Sequence, residues 1–444
     1  MTTDKKIVSH LAKICLEKGM ENLVISPGSR NAPLVNAFSD LKEVNCKVVV
    51  DERSAAYYAL GIAQQSNKPV GLVCSSGTSV MNYGAAIIEA FYQKLPLIVM
   101  TADRPVEWID QGDGQTIRQN HIFNNHILKS VQLPENPNDE NDVWYSDRVV
   151  NEAINISTYP QKGPVHLNVP LREPLYETEH LNVSPKIINE YTANYNLDEN
   201  SIRELRDVFK DHDKIMVITG MIQPSKKFQN AIKKLGNYKN VIILTETTSN
   251  IFGNEFIPCI DRTLTGIKGS EEEFKPDLLI TTGGQIISKK VKFFLRDHPP
   301  EEHWHIDPNE RCMDTFCCLT RSILCPQDTF FNTLLKGEGM ELESNYHKRW
   351  IEVMRKTTEK HEKFLGKTKH CDLKVFEILL DLIPENSQLQ LGNSTPIRYV
   401  QLFNKQKNRM CFSNRGTSGI DGTVSTAVGA SEVVNQWVTL ITGD

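Results

Sequence analysis

Residues 70–105 read VGLVCSSGTSVMNYGAAIIEAFYQKLPLIVMTADRP, and they decide the fold class. Val70 to Cys74 is a short apolar run that stops at Ser75-Ser76-Gly77, a cluster of turn formers. A helical stretch follows as far as Gln93, and Leu95 to Ala102 is a second apolar run of strand length. The alternation continues on both sides. Ile7, Val8, Leu11, Ile14 and Cys15 recur at helical spacing, and Leu23-Val24-Ile25 is a strand. Lys47-Val48-Val49-Val50 is another, running into a helix from Arg53 to Gln64, and Pro164 to Val169 is a fifth. Short buried strands alternating with longer helices require a mostly parallel sheet covered on both faces, so the fold class is α/β.

Beyond this first set, residues 176–198 are polar and lack periodicity, as a linker would. A second set has strands at Ile215–Ile218, Val241–Leu244, Leu278–Thr281 and Trp304–Ile306. A charged helical stretch from about Glu341 to Lys367 leads into a third unit, with strands near Gln388–Leu391, Met410–Ser413 and Val438–Thr442. The expected domains are therefore 1–180, 181–340 and 341–444.

Composition narrows the function classes. With 50 basic and 55 acidic residues the net charge is −5, which leaves no general electrostatic footprint for nucleic acid. No apolar run approaches the ~20 residues of a membrane helix. The N-terminal stretch has charges but no apolar core of a secretory signal, so a cytoplasmic location is expected. Ten cysteines in 444 residues are too sparse for a disulfide framework. Cys312, Cys317, Cys318 and Cys325, with His303 and His305 upstream, lack the Cys-x2-Cys spacing of a zinc knuckle. Buried free thiols are the favoured account of that group, with a metal centre as the alternative.

In open parallel sheets, ligands bind beyond the carboxyl ends of the strands, and the chemistry-bearing residues follow the strands here. Ser26-Pro27-Gly28-Ser29-Arg30 ends the first; Ser29 and Arg30 can hold an anion near a helix start, or form a plain turn with a solvated arginine. Asp51-Glu52-Arg53 ends the second. Glu52, between an apolar strand and an Ala/Tyr helix, can be desolvated with a raised pKa and exchange a proton with a nitrogen base; a helix-start acid is the plainer account. Ser76 and Thr78 lie in the turn after the third strand. Arg104 follows the fourth, with Gln115 and Arg118 in a glycine-containing loop beyond it. The middle set adds Lys289 and Lys290 after Ser288, where a solvated helix start is a serious competitor. The third set has Gly392-Asn393-Ser394, with Arg398 at i,i+4 from Ser394, and then NRGTSGIDG from Asn414 to Gly422. Neither a dinucleotide nor a P-loop fingerprint is present, and no nucleophile triad stands out. Arginines, lysines and hydroxyls around one glutamate suit a small substrate bearing several carboxylates, with the organic chemistry supplied by a cofactor.

Together ISPGSRNAPL, DERSAAYYALGIA, SSGTSVMNYGAAIIEAFYQKLPLIVMTADRP, DQGDGQTIRQ, LGNSTPIR and SNRGTSGIDG resemble the thiamine-diphosphate enzymes. Within that family the resemblance is to the carboligases of menaquinone biosynthesis, and it covers essentially the whole chain. It implies a three-domain architecture of parallel sheets flanked by helices, with thiamine diphosphate and Mg2+ as cofactors. The reaction implied is addition of decarboxylated 2-oxoglutarate to isochorismate, with release of CO2. By motif, Glu52 resembles the acid that activates the cofactor's aminopyrimidine. Ser76, Thr78 and Ser418 resemble cofactor contacts, and Ile420 the apolar prop that bends the cofactor. Ser394, Arg398 and Arg415 resemble the 2-oxoglutarate side; Ser29, Arg30, Arg104, Gln115, Lys289 and Lys290 resemble the isochorismate side. Gly443-Asp444 resembles the start of the metal motif, with Asp444 as the Mg2+ ligand. The resemblance thus implies an incomplete third domain, poor cofactor binding and an inactive 444-residue chain, as well as a homodimer or homotetramer. The alternatives are another thiamine-diphosphate decarboxylase acting on pyruvate, and a non-catalytic binding protein of the same fold.

Overall fold

Val70–Cys74 is β4, near the middle of a six-stranded sheet in which every pairing is parallel. The strands before it are β1 (Thr2–Thr3), β2 (Asn22–Ile25) and β3 (Asn45–Val48); after it come β5 (Leu97–Asp103), β6 (Lys129–Gln132), β7 (Val165–Pro170) and β8 (Thr178–Glu179). The sheet order is β3-β2-β4-β5-β7-β6, while β1 and β8 form a small antiparallel pair. The computed structural model describes all residues except 136–138, 194, 310–311, 337–341, 406, 408 and 444. It divides into two units: residues 1–192 with 414–440, and residues 193–413 with 441–444.

In the first unit, alternation along each strand feeds two cores. Leu23, Ile25, Val73, Ile98 and Met100 pack on one face with the helices Lys6–Glu17 and Glu140–Thr158. Val24, Leu72, Cys74, Leu97 and Val99 pack on the other with the helices Glu52–Ser66 and Gly84–Gln93. Both faces of the central strands are thus dry, as parallel strands between helices demand. The strand expected over Lys47–Val50 is β3 at the sheet's edge, where Val48 is exposed. The expected linker is partly tied down: the amides of Lys186 and Ile188 donate to Asp147 and Asn151, at 2.9 and 2.8 Å.

The second unit holds a five-stranded parallel sheet of β9 (Ile215–Thr219), β10 (Val241–Thr245), β11 (Leu278–Thr282), β12 (Glu302–Ile306) and β13 (Arg321–Ile323), in the order β10-β9-β11-β12-β13. The helix Tyr346–Lys367 belongs with it: Tyr346 and Trp350 are buried among Met216, Leu279 and Phe294. The boundary expected at residue 341 therefore does not separate this helix from the central sheet. Its charges are the solvent face, and the two aromatics anchor it. β14 (Ser387–Leu391) and β15 (Cys411–Phe412) pair in parallel, and the Gly392 amide donates to the Ile441 carbonyl at 2.7 Å. β16 runs from Trp437 to Ile441.

Returning to the first unit, the helix Thr423–Ser431 lies against the helix Glu52–Ser66 at backbone distance. A Cβ on Gly61 would sit 2.0 Å from the Thr426 carbonyl, and one on Gly429 would sit 2.0 Å from the Tyr58 carbonyl. Gly61→Ala gains helix propensity of up to ~1 kcal/mol, but overpacking against rigid backbone costs about 1–3 kcal/mol. The variant is expected to lose stability and to show faster amide exchange in residues 423–431; a raised melting temperature would contradict this contact.

Candidate active site

Because the strands of the first unit are parallel, the loops after β2, β3, β4 and β5 gather at one edge. They enclose a cleft of about 290 Å³ lined by Gly28, Ser29, Glu52, Ser76, Thr78 and Gln115 together with Ser75, Ser79 and Asn82. Five expected site residues, Ser29, Glu52, Ser76, Thr78 and Gln115, are thus brought together. Ser76 Oγ is buried and has no hydrogen-bond partner among the described residues.

Glu52 is the first residue of its helix. The N-cap is its neighbour Asp51, whose carboxylate accepts from the Ser54 amide at 2.8 Å. Bonds from the Ser54 side chain and amide hold the Asp51 carboxyl below the usual aspartate range. Glu52 Oε2 accepts from Asn82 Nδ2 at 3.1 Å. The expected desolvation of Glu52 is not met: the side chain is half-buried, because the helix starts at the open mouth of the cleft.

The loops are held from beneath by buried amides and hydroxyls. Asn31 clamps the first turn, accepting from the Gly28 amide at 3.0 Å and donating to the Ser26 carbonyl at 2.8 Å. Gly77 has φ +82°, and its amide donates to Gln119 Oε1 at 2.9 Å. Gln119 Nε2 in turn donates to Asn168 Oδ1 and to the Ala102 carbonyl, both at 3.0 Å. Asn168 Nδ2 donates to Asp103 at 2.8 Å, and Thr101 donates to Asn168 Oδ1 at 2.9 Å. Burial pushes the Asp103 carboxyl up. With its proton directed at Asn168, Thr101 accepts from His166 Nε2 at 2.7 Å. Burial holds His166 down at about 3, so the ring is neutral in the fold.

The basic residues have internal partners. Arg30 is buried rather than solvated and donates to the Leu171 carbonyl at 2.9 Å and to Glu173 at 3.2 Å. Arg104 donates to the Gly114 carbonyl at 3.1 Å and lies 3.6 Å from Asp113. In the loop from Asn414 to Gly422, Arg415 is buried, Ser418 has φ +63° and Ile420 is 74% exposed. The loop is fastened to this unit by Glu89, which sequence reasoning missed. Its buried carboxylate accepts from the amides of Gly416 and Thr417, at 2.5 and 2.7 Å, and from Thr417 Oγ1 at 2.7 Å. The one signal was a charge inside the apolar helix AAIIEAF.

Ser394, Arg398, Lys289 and Lys290 belong to the second unit, and all four are exposed. Ser394 has φ +68° at the start of the helix Thr395–Val400. Lys289 and Lys290 open the helix Lys289–Asp297, but the amides of Ile287 and Ser288 are already bonded by the buried carboxylate of Glu246, both at 2.7 Å. The protein's own anion thus sits just before that helix start, where Ser288 caps the Val291 amide. Asp444 lies outside the described residues.

Two sequence families match the chain: "Thiamine pyrophosphate enzyme, N-terminal TPP binding domain" over residues 5–122 and "Middle domain of thiamine pyrophosphate" over residues 189–391. A 2-succinyl-5-enolpyruvyl-6-hydroxy-3-cyclohexene-1-carboxylate synthase of Flavobacterium psychrophilum is 44% identical over 99% of this chain and 78% of its own length. The chain belongs to this synthase family. The same-named proteins of Christiangramia forsetii and Desulfotalea psychrophila are 41% and 35% identical, each over 99% of the chain and over 79% and 80% of their own lengths. Thiamine diphosphate with a divalent metal serves the family as cofactor. The cleft fits the organic part of that group: a carboxylate stands on its wall, and the unpartnered Ser76 hydroxyl lines it.

Two expectations follow. Glu89→Gln replaces an acceptor facing four donors, Gln93 Nε2 at 2.7 Å being the fourth, with a group half of which donates; a loss of about 1–3 kcal/mol and faster exchange at residues 416–417 are expected. For His166, the unfolded ring takes up a proton near 6.5 while the folded ring resists until about 3. Stability is therefore full above the unfolded value and falls as pH drops below it, by up to about 1.4 kcal/mol per pH unit from this group. Urea denaturation across this range checks it, and a His166→Gln variant should show a shallower slope.

Proposed function

We propose that the chain carries out the family's carboligation, joining decarboxylated 2-oxoglutarate to isochorismate with release of CO2. The observation that carries this reading is the cleft of the first unit, where Glu52 and the unpartnered Ser76 hydroxyl stand among Ser29, Thr78 and Gln115. The cofactor supplies an ylide and an electron sink for the decarboxylated carbon. Glu52 holds and moves the proton at the aminopyrimidine ring, and the hydroxyls of Ser76 and Thr78 orient the ring. Ser418 and Ile420 belong to the cofactor side as contact and apolar prop. Arg398 and Arg415, with Ser394, bind the 2-oxoglutarate carboxylates; Arg30, Arg104, Lys289 and Lys290, with Ser29 and Gln115, serve isochorismate. Asp444, by its motif, would supply an oxygen ligand for Mg2+. On this reading residues 1–180 bind the pyrimidine and the residues that follow the helix Tyr346–Lys367 belong to the diphosphate-binding domain.

The active form is a homodimer or homotetramer. In the first unit, Ile420, Val424 and Val428 are all exposed, and the two valines are one turn apart on the helix Thr423–Ser431. An apolar stripe beside a half-buried catalytic glutamate suits a site that a second copy covers. No helix among the described residues is long and apolar enough to cross a membrane, and a cytoplasmic location is part of this proposal.

With 2-oxoglutarate, isochorismate, thiamine diphosphate and Mg2+, the protein should release CO2 and consume isochorismate. Turnover of pyruvate instead would favour another decarboxylase of the same fold. Glu52→Gln should keep the fold while lowering turnover by roughly 10²–10⁴-fold; an unchanged rate would remove Glu52 from the chemistry.

A further inference from the structure

The cysteine and histidine group of the second unit has a different arrangement from the buried free thiols expected. Cys325 is buried, but Cys312 and Cys317 are exposed, and Cys318 is half-buried beside His303. His303 Nδ1, Cys318 Sγ and a carboxylate oxygen of Asp314 lie within 4.8 Å of one another. Sγ is 3.7 Å and Asp314 Oδ1 4.0 Å from Nδ1. Around a tetrahedral Zn2+ with bonds of about 2.0–2.3 Å, ligand atoms stand roughly 3.3–3.6 Å apart. The distances to Nδ1 need only small inward shifts, and Asp314 and Cys318 are on the surface side, where side chains have room to move.

Two of the three ligand side chains, His303 and Asp314, are aimed by groups behind them. Thr281 Oγ1 lies 2.9 Å from His303 Nε2 and 2.9 Å from His305 Nδ1. It can accept from Nε2–H of His303 while donating to His305, which leaves Nδ1 of His303 as a lone pair facing the cluster. This is the outer-shell bond that fixes a metal-binding histidine. Phe316 packs edge-on against the His303 ring at 5.8 Å. The Asp314 carboxylate is set by the amides of Cys318 and Leu319, at 2.9 and 3.1 Å. The connection is pinned to β12 through Thr320, whose amide donates to His303 O at 2.9 Å and whose Oγ1 accepts from His303 N at 3.0 Å and donates to Glu302 at 2.6 Å. An imidazole lone pair, a carboxylate and a thiol then face one another with a single weak donor, the S–H, among them. The cluster is short of positive charge, and a cation supplies it.

We propose that His303, Asp314 and Cys318 bind one divalent, thiol-tolerant metal ion of the Zn2+ class, with solvent at the fourth position. The ion fastens the connection between β12 and β13 to the start of β12. A mixed nitrogen, oxygen and sulfur set selects Zn2+ or Co2+ over the hard Mg2+ of the cofactor.

The test uses the whole chain, with excess Mg2+ to occupy oxygen-only sites and Co2+ as the probe. One equivalent of Co2+ should give a thiolate-to-metal charge-transfer band with tetrahedral d–d bands, and Zn2+ should bleach both. Cys318→Ser should abolish the charge-transfer band, and Thr281→Val should weaken binding roughly 10–100-fold. Asp314→Asn, a surface change, should keep the band and weaken affinity. A variant lacking Cys312, Cys317 and Cys371 should bind as the parent does. No band at equimolar Co2+, or a band that survives Cys318→Ser, overturns the assignment; circular dichroism checks that each variant is folded.

Discussion

One buried carboxylate closes the first unit on itself. Glu89 lies in a helix between β4 and β5, yet it accepts three hydrogen bonds from residues 416 and 417, more than three hundred positions later. A charge in that position is tolerable only because each bond supplies partial positive charge that water would otherwise give. The same junction uses the absence of side chains: Gly61 and Gly429 let the helices Glu52–Ser66 and Thr423–Ser431 meet backbone to backbone. Carboxylate and glycines together fix the loop from Asn414 to Gly422 and orient the helix whose first residue is Glu52. Ser418 and Ile420 therefore start from a defined platform, and the exposed Ile420 is presented rather than packed away.

The edge of the six-stranded sheet then does what the parallel topology allows. Strands running the same way put all their following turns on one side, so polar groups from four separate loops share one cleft. The turns need support, because short polar loops have no core of their own. Gln119, Asn168, Thr101 and His166 provide it as a chain of directed hydrogen bonds under the Gly77 turn. In a buried network every member must have the right protonation state, which is why a neutral His166 matters to stability although it lines no cleft.

Strands covered on both faces were legible, and two half-covered edge strands were not. β4, β5, β9, β10 and β11 are covered on both faces, so their sequences are unbroken apolar runs. β6 reads Lys-Ser-Val-Gln and β13 reads Arg-Ser-Ile; each lies at a sheet edge, half covered, and no apolar run announces it. The helix Tyr346–Lys367 misled for the opposite reason. Two buried aromatics assign it to the central sheet, while its many charges suggested the start of the third unit. Five residues expected at the site were legible because they follow strands, and the turns after parallel strands share one cleft. Glu89, Gln119 and Asn82 were not, because their partners are distant in sequence, and Asn31 was not, because a lone amide that bonds neighbouring backbone groups leaves no pattern.

Arg30 and Glu246 show where residue type alone falls short. An arginine after a strand and a helix start beyond Gly283-Gly284 both read as anion sites, and each is electrostatically suited to one. In the fold, Arg30 donates to Leu171 and Glu173, and Glu246 occupies the amides before Lys289. Each feature is an anion site with an anion already present, supplied by the chain. For Arg30 to serve isochorismate, the substrate must share the guanidinium with Glu173 or displace it. Glu173 is the weaker holder at 3.2 Å and is largely exposed, whereas the Leu171 carbonyl holds Nη1 within the core. The guanidinium can therefore exchange one partner at its outer edge while the inner bond keeps it in place. A basic residue recognised by motif can in this way be both a structural tie and a substrate contact.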